Sequence, residues 1–272
     1  MILVTGATGN VGREVVRALT GAGAPVRALV RAPGDLPVEQ VVGDLDEPGS
    51  LDTALDGVRA VFLLPGYRDM PGVVDRFVRA GVERVVLLSS QAAVATDTDN
   101  VVSGYMTASE TAVRESTVDW TVLRPAAFMS NALRWLPQLR VGDVVADAFG
   151  DVPIATVDPA DIAAVAAKAL LEDGHAGKAY SLTGPEALLP EDRLRILGRA
   201  LGRDLRFEAL DDDRAREQMN ATTPPEYVKA FFSFYRDKTI DETTVHPTVE
   251  QVTGRPPRTF EQWATAHAAD FR

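Results

Sequence analysis

The chain of 272 residues contains no cysteine and only three histidines, and these scarcities exclude several kinds of site. Without cysteine there is neither a disulfide nor a thiolate ligand for a metal. His175, His246 and His267 are scattered in the sequence, which argues against a histidine metal cluster. We therefore predict no metal site.

Long apolar runs and an excess of basic residues are also lacking. No apolar stretch approaches the roughly 20 residues that a membrane-spanning helix needs. The formal net charge is −11, whereas broad nucleic-acid binding needs a basic face. A strand predicted at the very start of the chain leaves no room for a signal peptide. We expect a cytoplasmic protein that binds neither nucleic acid nor membrane.

The opening residues combine a strand, a glycine turn and a helix. Residues 2–4 are apolar, which is typical of a strand buried on both faces. Residues 5–12 read TGATGNVG, and the apolar residues after them recur at helical spacing. Glycine lets backbone approach a pyrophosphate, to which the helix start presents free N–H groups. This arrangement predicts a dinucleotide-binding fold.

The end of the next predicted strand bears on the choice of nucleotide. Residues 25–30 form that strand, and in a dinucleotide fold its end faces the adenosine ribose. An acidic residue there would accept from the ribose 2′-hydroxyl and favour NAD. The chain has Arg31 instead, which can meet a 2′-phosphate, although a solvated arginine is the alternative. We predict that NADPH is preferred over NAD.

The G-x-x-G-x-x-G spacing resembles the extended and atypical short-chain dehydrogenase/reductases, the NmrA-like and quinone-reductase-like members above all. A second marker of that resemblance is WTVLRPAAFMSN at residues 120–131. The resemblance implies an α/β fold, with a doubly wound Rossmann-type parallel sheet and a smaller, mainly helical C-terminal substrate lobe. We predict an NAD(P)-binding domain over residues 1–185, with lobe-forming insertions after residue 128. Residues 186–272 are predicted to form the substrate or lid lobe, packed with the first domain as one unit.

The predicted cofactor contacts lie in the glycine turn and where strands end. In the families resembled, Asp44 sits against the adenine and the loop at Leu64 lies beside the ribose and phosphates; for Asp44, a turn before a helix at residues 48–55 is the alternative. The backbone after Pro125 runs past the nicotinamide ring in those families. The full predicted cofactor set is Gly6, Thr8, Gly9, Asn10, Val11, Arg31, Asp44, Leu45, Leu64, Pro65, Ser89, Pro125 and Ala126.

The helix predicted over residues 100–116 bears on catalysis. The family pattern is a tyrosine, a lysine or histidine four residues on, and a glutamate four further on. Glu110 fits the glutamate, which puts Met106 at the basic position and Val102 at the tyrosine position. The usual tyrosine–lysine pair for proton transfer is therefore missing.

Two hydroxyls remain as weak catalytic candidates. Tyr105 is the nearest phenol, but Ser109 four residues on cannot lower its pKa as a lysine would; Tyr105 packing on the sheet is the alternative. In relatives a serine or threonine near Ser89 or Ser90 binds the substrate oxygen, although serines at strand ends also bond locally. We predict Tyr105 and Ser89 as catalytic.

Four residues are predicted to line the substrate side, namely Tyr67, Tyr105, Phe128 and Asn131. Tyr67 follows the break after the strand at residues 58–64, where ligands bind in open α/β sheets, or it faces solvent. Phe128 and Asn131 line the substrate in the families resembled, and packing on the core is their alternative.

Three patterns in the second half carry structural predictions. Residues 151–157 predict a strand. Asp158, before Pro159, predicts a helix N-cap, and residues 211–213 predict a solvated capping cluster. The aromatic helix at residues 224–234 fits lobe core, a roof over the cleft or an oligomer contact, so the sequence leaves a homodimer or protein partner open.

The missing pair narrows the predicted chemistry. Conjugated acceptors need less help from a proton donor, because conjugation stabilises their reduced forms. We predict an NADPH-dependent oxidoreductase that reduces a small-molecule quinone, enone or imine by direct hydride transfer. The alternative is an NAD(P)-binding redox-sensing regulator without catalytic activity.

Overall fold

Two parallel sheets contain all strands of residues 1–271, the part of the chain that the computed structural model describes. The strands are β1 (Ile2–Val4), β2 (Val26–Val30), β3 (Glu39–Val42), β4 (Ala60–Leu63), β5 (Arg84–Leu88), β6 (Asp119–Pro125), β7 (Val144–Asp147), β8 (Lys178–Leu182) and β9 (Arg206–Ala209). Seven strands form the main sheet in the order β3-β2-β1-β4-β5-β6-β8, and β7 pairs with β9. The central strands β1, β4 and β5 are buried almost throughout, as expected for a parallel sheet covered on both faces.

Helices cover both faces of the main sheet. The helices of the described residues are α1 (Asn10–Gly21), α2 (Met70–Arg79), α3 (Val101–Arg114), α4 (Leu136–Leu139), α5 (Pro159–Leu171), α6 (Pro190–Leu201), α7 (Asp212–Asn220), α8 (Pro225–Tyr235), α9 (Thr248–Thr253) and α10 (Phe260–Ala266). Helices α1 and α5 pack on one face through residues such as Val15 and Ile162. Helices α2 and α3 cover the other through Phe77 and Val113. The predicted doubly wound Rossmann-type fold is confirmed.

The strand order reverses beside β1. Strands β2 and β3 extend the sheet to one side of β1, whereas β4, β5 and β6 extend it to the other. In such sheets ligands bind in the crevice at the carboxyl ends of the strands around this reversal. The glycine turn lies there, because it directly follows β1.

A second core lies beside this crevice. Trp135, from a 3₁₀ segment at Met129–Trp135, packs with Leu194 of α6 and with Phe260 and Trp263 of α10. The side chain of Thr259 accepts from the Gln262 N–H, and the Gln262 side chain accepts in return, which fixes the start of α10. The lobe core is thus assembled from segments on both sides of β8.

The strand predicted over residues 151–157 is wrong. These residues are irregular and make only isolated bridges, from Ile154 to Leu188 and from Val157 to Phe128. Val157 packs in the sheet core, whereas Ile154 lines a cavity, and Pro153 lacks the N–H that a ladder needs. Likewise, the helix predicted over residues 48–55 is only the 3₁₀ turn Pro48–Leu51, with irregular turns after it.

The predicted caps are confirmed. The Asp158 carboxylate accepts from the Ala160 N–H at 2.8 Å, and Asp211 accepts from the Arg214 N–H at 2.9 Å. Within residues 1–271 no three histidine or acidic side chains are grouped to hold a metal ion. No helix in this part of the chain has the length and apolarity to cross a membrane.

Candidate functional site

The turn between β1 and α1 has no room for side chains at two of its glycines. Gly6 has φ +60°, and a Cβ there would overlap the Leu64 side chain. A Cβ on Gly12 would overlap the Gly6 carbonyl, so glycine lets α1 begin in contact with the turn. The Gly9 N–H donates to the Gly6 carbonyl at 2.9 Å and closes the turn.

The start of α1 is free to meet an anion. Its N-cap is Gly9, no side chain caps it, and its first turn contains no acidic residue. Thr8, Gly9 and Asn10 are exposed, whereas Val11 is buried beneath them. The first N–H groups of a helix lack partners and attract negative charge. The glycine turn and the start of α1 therefore fit a diphosphate.

Charged groups gather where β2 and β3 end. Arg31 is exposed at the end of β2. Burial raises the pKa of the Tyr67 phenol, and the charges of Asp46 and Asp44 raise it further while Arg31 lowers it. The Tyr67 phenol therefore senses the charges of Asp46, Asp44 and Arg31. Leu45, by contrast, is 4% exposed and packs in the core, so only its backbone can reach a ligand.

The loop after β4 is tied to both neighbours. The Leu64 N–H donates to Thr5 Oγ1 at 2.9 Å, and the Gly66 N–H donates to Ser109 Oγ on α3 at 3.0 Å. Leu64 and Pro65 are partly buried beside the glycine turn. The loop therefore holds a fixed course along the crevice.

Glu110 on α3 is the centre of a buried ionic network. It accepts from Ser89 Oγ at 2.7 Å and from Arg124 Nε and Nη2 at 2.8 and 2.6 Å. Arg114 Nη2 reaches it at 3.2 Å. Burial alone would raise the Glu110 pKa, but the hydrogen bonds from Arg124 and Ser89 and the charges of Arg124 and Arg114 together lower it. The Ser89 hydroxyl proton is therefore engaged by Glu110, and Ser89 itself is 2% exposed.

The two positions of the missing pair on α3 face apolar neighbours. Val102 is buried with Ala230 and Phe234 of α8, and Met106 packs against the same cluster. The Tyr105 ring lies against Gly66 and near Tyr227 of α8, and burial raises its pKa. A phenol with a raised pKa is a weak proton donor.

The predicted substrate residues are divided between two cavities. Tyr67 and Tyr105 line one of about 670 Å³ between α2 and α3. Asn131 lines another of about 620 Å³, between the segment after β6, the region of β7 and the helices α6, α7 and α8. Phe128 is partly buried and packs against the sheet core. Of the remaining cofactor candidates, Pro125 and Ala126 are buried at the end of β6.

The cavity lined by Asn131, here called the lobe cavity, adjoins the glycine turn. Asn10 Nδ2 donates to Ser130 Oγ at 3.3 Å, and Ser130 lines the cavity. Its lining combines apolar and charged residues. The apolar residues include Phe149, Ile154, Met219 and Phe231, and the charged residues include Arg134, Asp147 and Arg193.

Sequence reasoning missed the charged residues of the lobe cavity. Arg193 could have been identified from the sequence, because it lies on the apolar stripe of α6 beside Leu194 and Leu197. A charged residue on such a stripe is unusual. Arg134 and Asp147 carry no comparable pattern.

A family model described as NAD(P)H-binding matches residues 6–173, more than half of the chain. The chain belongs to this NAD(P)H-binding family. Its relatives include the (4-alkanoyl-5-oxo-2,5-dihydrofuran-3-yl)methyl phosphate reductase of Streptomyces griseus, 45% identical over 100% of this chain and 99% of the relative. They also include the NAD(P)H azoreductase of Xenophilus azovorans, 36% identical over 100% of this chain and 99% of the relative.

A solved structure shares the fold of this NAD(P)H-binding protein. The quinone oxidoreductase QOR2 of Escherichia coli, in complex with NADPH, superposes with a TM-score of 0.80 over 98% of this chain and 99% of the other, at 23% identity. The predicted membership of an NAD(P)-binding family that contains reductases is confirmed. With full-length relatives that are reductases, the chain is an NAD(P)H-dependent oxidoreductase.

Proposed function

We propose that this oxidoreductase uses NADPH to reduce the carbon–carbon double bond of an enone-type acceptor, such as an unsaturated lactone. The carrying observation is the lobe cavity, which the hydrogen bond from Asn10 to Ser130 joins to the glycine turn. The name of the Streptomyces griseus relative contains a 5-oxo-2,5-dihydrofuran, a ring whose double bond is conjugated with a carbonyl. That relative favours enones over the quinones and imines that the sequence also allows.

The reaction adds two hydrogens across one double bond. A bound nicotinamide nucleotide supplies a hydride, which is taken by the carbon remote from the carbonyl. The adjacent carbon then takes a proton, and the carbonyl is retained. Because the developing negative charge is delocalised onto the carbonyl oxygen, water or one hydroxyl suffices as the proton source. Val102 and Met106 in place of a tyrosine–lysine pair are compatible with this chemistry.

The chain's own contribution is binding and orientation. Ser130 is 6% exposed, and its Oγ accepts from Asn10. This bond leaves the Ser130 proton to donate to the substrate's carbonyl oxygen, where charge develops. Asn131 lines the same cavity and offers a second donor. The apolar lining residues, which include Phe149 and Phe231, suit an alkyl chain.

The nucleotide contacts follow from the same geometry. The glycine turn and Thr8 to Val11 would hold the diphosphate, while Asp44 and the backbone of Leu45 would lie toward the adenine. Arg31 would meet a 2′-phosphate, which is the basis for NADPH over NADH. Reductases among the full-length relatives favour an enzyme over a redox-sensing regulator.

A panel assay tests this function. Purified protein is mixed with NADPH and with a 4-alkanoyl dihydrofuranone, a quinone or an imine, and loss of NADPH absorbance is followed. We expect turnover with the dihydrofuranone and a product two hydrogens heavier by mass spectrometry. Ser130→Ala should lower kcat for it about 10-fold, as the loss of one hydrogen bond to developing charge. The control variant Ser116→Ala, just after α3, should keep the kcat of wild type. NADPH binding without turnover of any acceptor would contradict the proposal.

A further inference from the structure

Arg193 is a buried arginine for which the described residues supply no ion-pair partner. It is 4% exposed, and its Nε has no hydrogen-bond partner. Within residues 1–271 no carboxylate forms an ion pair with its guanidinium; the Trp135 ring centroid, 5.9 Å from Cζ, is at the outer limit of cation–π attraction. An unpaired buried charge is strongly unfavourable for a folded protein. Some compensation is therefore expected from outside the chain.

The position of Arg193 on its helix does not explain why an arginine occurs there. Arg193 lies in the first turn of α6 (Pro190–Leu201), where the positive end of the helix dipole disfavours cations. Glu191 and Asp192 in the same turn are the acidic residues that this position favours. Arg195, two residues on, is exposed and pairs with Asp192 at 2.7 Å. Arg193 instead lines the lobe cavity.

The acidic groups nearest to Arg193 are already engaged. Asp147 Oδ2 accepts from Arg134 Nε and Nη2 at 3.0 and 2.7 Å and from Trp135 Nε1 at 2.7 Å. Asp147 Oδ1 accepts from the Ala148 N–H at 2.8 Å. Asp147 is thereby satisfied without Arg193.

Glu242 also has a hydrogen-bond partner other than Arg193. Its Oε2 accepts from the Tyr235 hydroxyl at 2.9 Å, and burial raises its pKa to about 7. Burial also lowers the pKa of Arg193 to about 10, so the guanidinium stays charged at neutral pH. Among the described residues, the lobe cavity thus contains one guanidinium, that of Arg193, that is paired with no carboxylate.

We propose that Arg193 binds a phosphate monoester carried by the substrate, within the lobe cavity. This inference rests on the proposed function, because the cavity that holds the double bond would also hold the phosphate. A planar guanidinium fork matches phosphate oxygens and binds them in pairs. Arg134, which is exposed and paired with Asp147, also lines the cavity and adds positive charge. The Streptomyces griseus relative is named for a methyl phosphate, which is the chemistry expected here.

Paired substrates test the phosphate site. A 4-alkanoyl dihydrofuranone bearing a methyl phosphate is compared with its hydroxymethyl counterpart, using wild type and Arg193→Met. We expect wild type to prefer the phosphate, and Arg193→Met to lose about 10- to 100-fold in kcat/KM for the phosphate. The loss should be mainly in KM, and activity on the hydroxymethyl compound should stay within about 3-fold.

Two further variants separate binding from a structural role. Arg195→Met changes the same residue type on the exposed side of α6 and should behave as wild type. Arg193→Lys keeps the positive charge but lacks the planar guanidinium, so it should recover part of the preference for the phosphate substrate. Thermal unfolding of the unliganded protein should show Arg193→Met to be no less stable than wild type. Equal losses on both substrates, or no preference in wild type, would overturn the phosphate site.

A binding measurement keeps this inference separate from the proposed function. Inorganic phosphate is titrated into the protein by calorimetry with NADP⁺ at saturation, so that the glycine turn cannot take the anion. Heat with wild type and Arg195→Met but none with Arg193→Met supports the site even if no acceptor is reduced. Absence of heat in all three, together with turnover of both substrates, removes the phosphate site and leaves the reductase.

Discussion

Arg31 is exposed at the end of β2, where its guanidinium bears on nucleotide preference. A guanidinium fork can bind a doubly charged phosphate through paired, charge-assisted hydrogen bonds. The ribose 2′-hydroxyl of NADH would gain little from it.

Reversing that charge should weaken NADPH binding selectively. We expect Arg31→Glu to raise the Kd for NADPH about 10- to 100-fold, since a charge-assisted contact to phosphate is lost, and to change the Kd for NADH by less than about 3-fold. Calorimetric titration with both nucleotides measures this. Arg17→Glu makes the same charge change on the exposed side of α1 and serves as control. Similar losses for both nucleotides would refute a 2′-phosphate contact.

At the scale of elements, Glu110 joins α3 to two strands of the sheet. It accepts from Ser89, which follows β5, and from Arg124 on β6. This cross-connection fixes α3 and the loop that Ser109 holds through Gly66. The glutamate that the family pattern places on this helix therefore serves to position the crevice wall.

Removing the Glu110 charge should destabilise the fold in a pH-dependent way. We expect Glu110→Gln to lower the free energy of unfolding by about 3 kcal/mol near neutral pH, because Arg124 loses a buried partner. Since the folded pKa of Glu110 is lowered, its contribution is present above the ordinary carboxyl pKa and is lost as pH falls below about 4. The difference between wild type and variant should shrink over that range.

Denaturant unfolding at several pH values measures the effect, with Asp161→Asn as a contrast. Burial raises the pKa of Asp161, despite the hydrogen bond from the Arg258 N–H and the ion pair with Arg255. Its contribution should therefore grow, not shrink, as pH falls. Identical pH trends for the two variants would contradict the opposite pKa shifts.

At the scale of the whole molecule, the crevice draws its walls from β1, β2, β4, β5 and β6. A nucleotide that spans these strand ends binds the folded chain and not the unfolded one. Such binding raises stability by about 2.7 kcal/mol at a ligand concentration of 100 Kd. For a chain of this size that corresponds to a rise in Tm of roughly 5 °C.

The shift in Tm should depend on the glycine turn. We expect NADPH to raise the Tm of wild type by roughly 5 °C and to leave Gly12→Ala nearly unshifted, since a Cβ there displaces α1 from the turn. Gly21→Ala, at the other end of α1 with open space around it, should shift as wild type does. Differential scanning fluorimetry provides the measurement. A full shift in Gly12→Ala would show that the turn is not the diphosphate site.

The sequence by itself determined the local features of the fold, which include the glycine turn, the buried parallel strands and the Asp158 cap. These features are local: glycine spacing, apolar periodicity and capping residues act within a few positions of one another. The strand predicted at residues 151–157 failed because long-range packing overrode that local pattern.

Only the tertiary structure decided which side chains line the two cavities. In the folded chain Tyr105 and Asn131 line different cavities, and Arg193 lines the lobe cavity. The Ser89 hydroxyl donates its hydrogen bond to Glu110. The walls of that cavity come from segments far apart in the chain, including the residues around β7 and those of α6 and α8. No local pattern specifies which distant side chains meet. The unpaired arginine becomes visible only when burial and every neighbouring carboxylate are known.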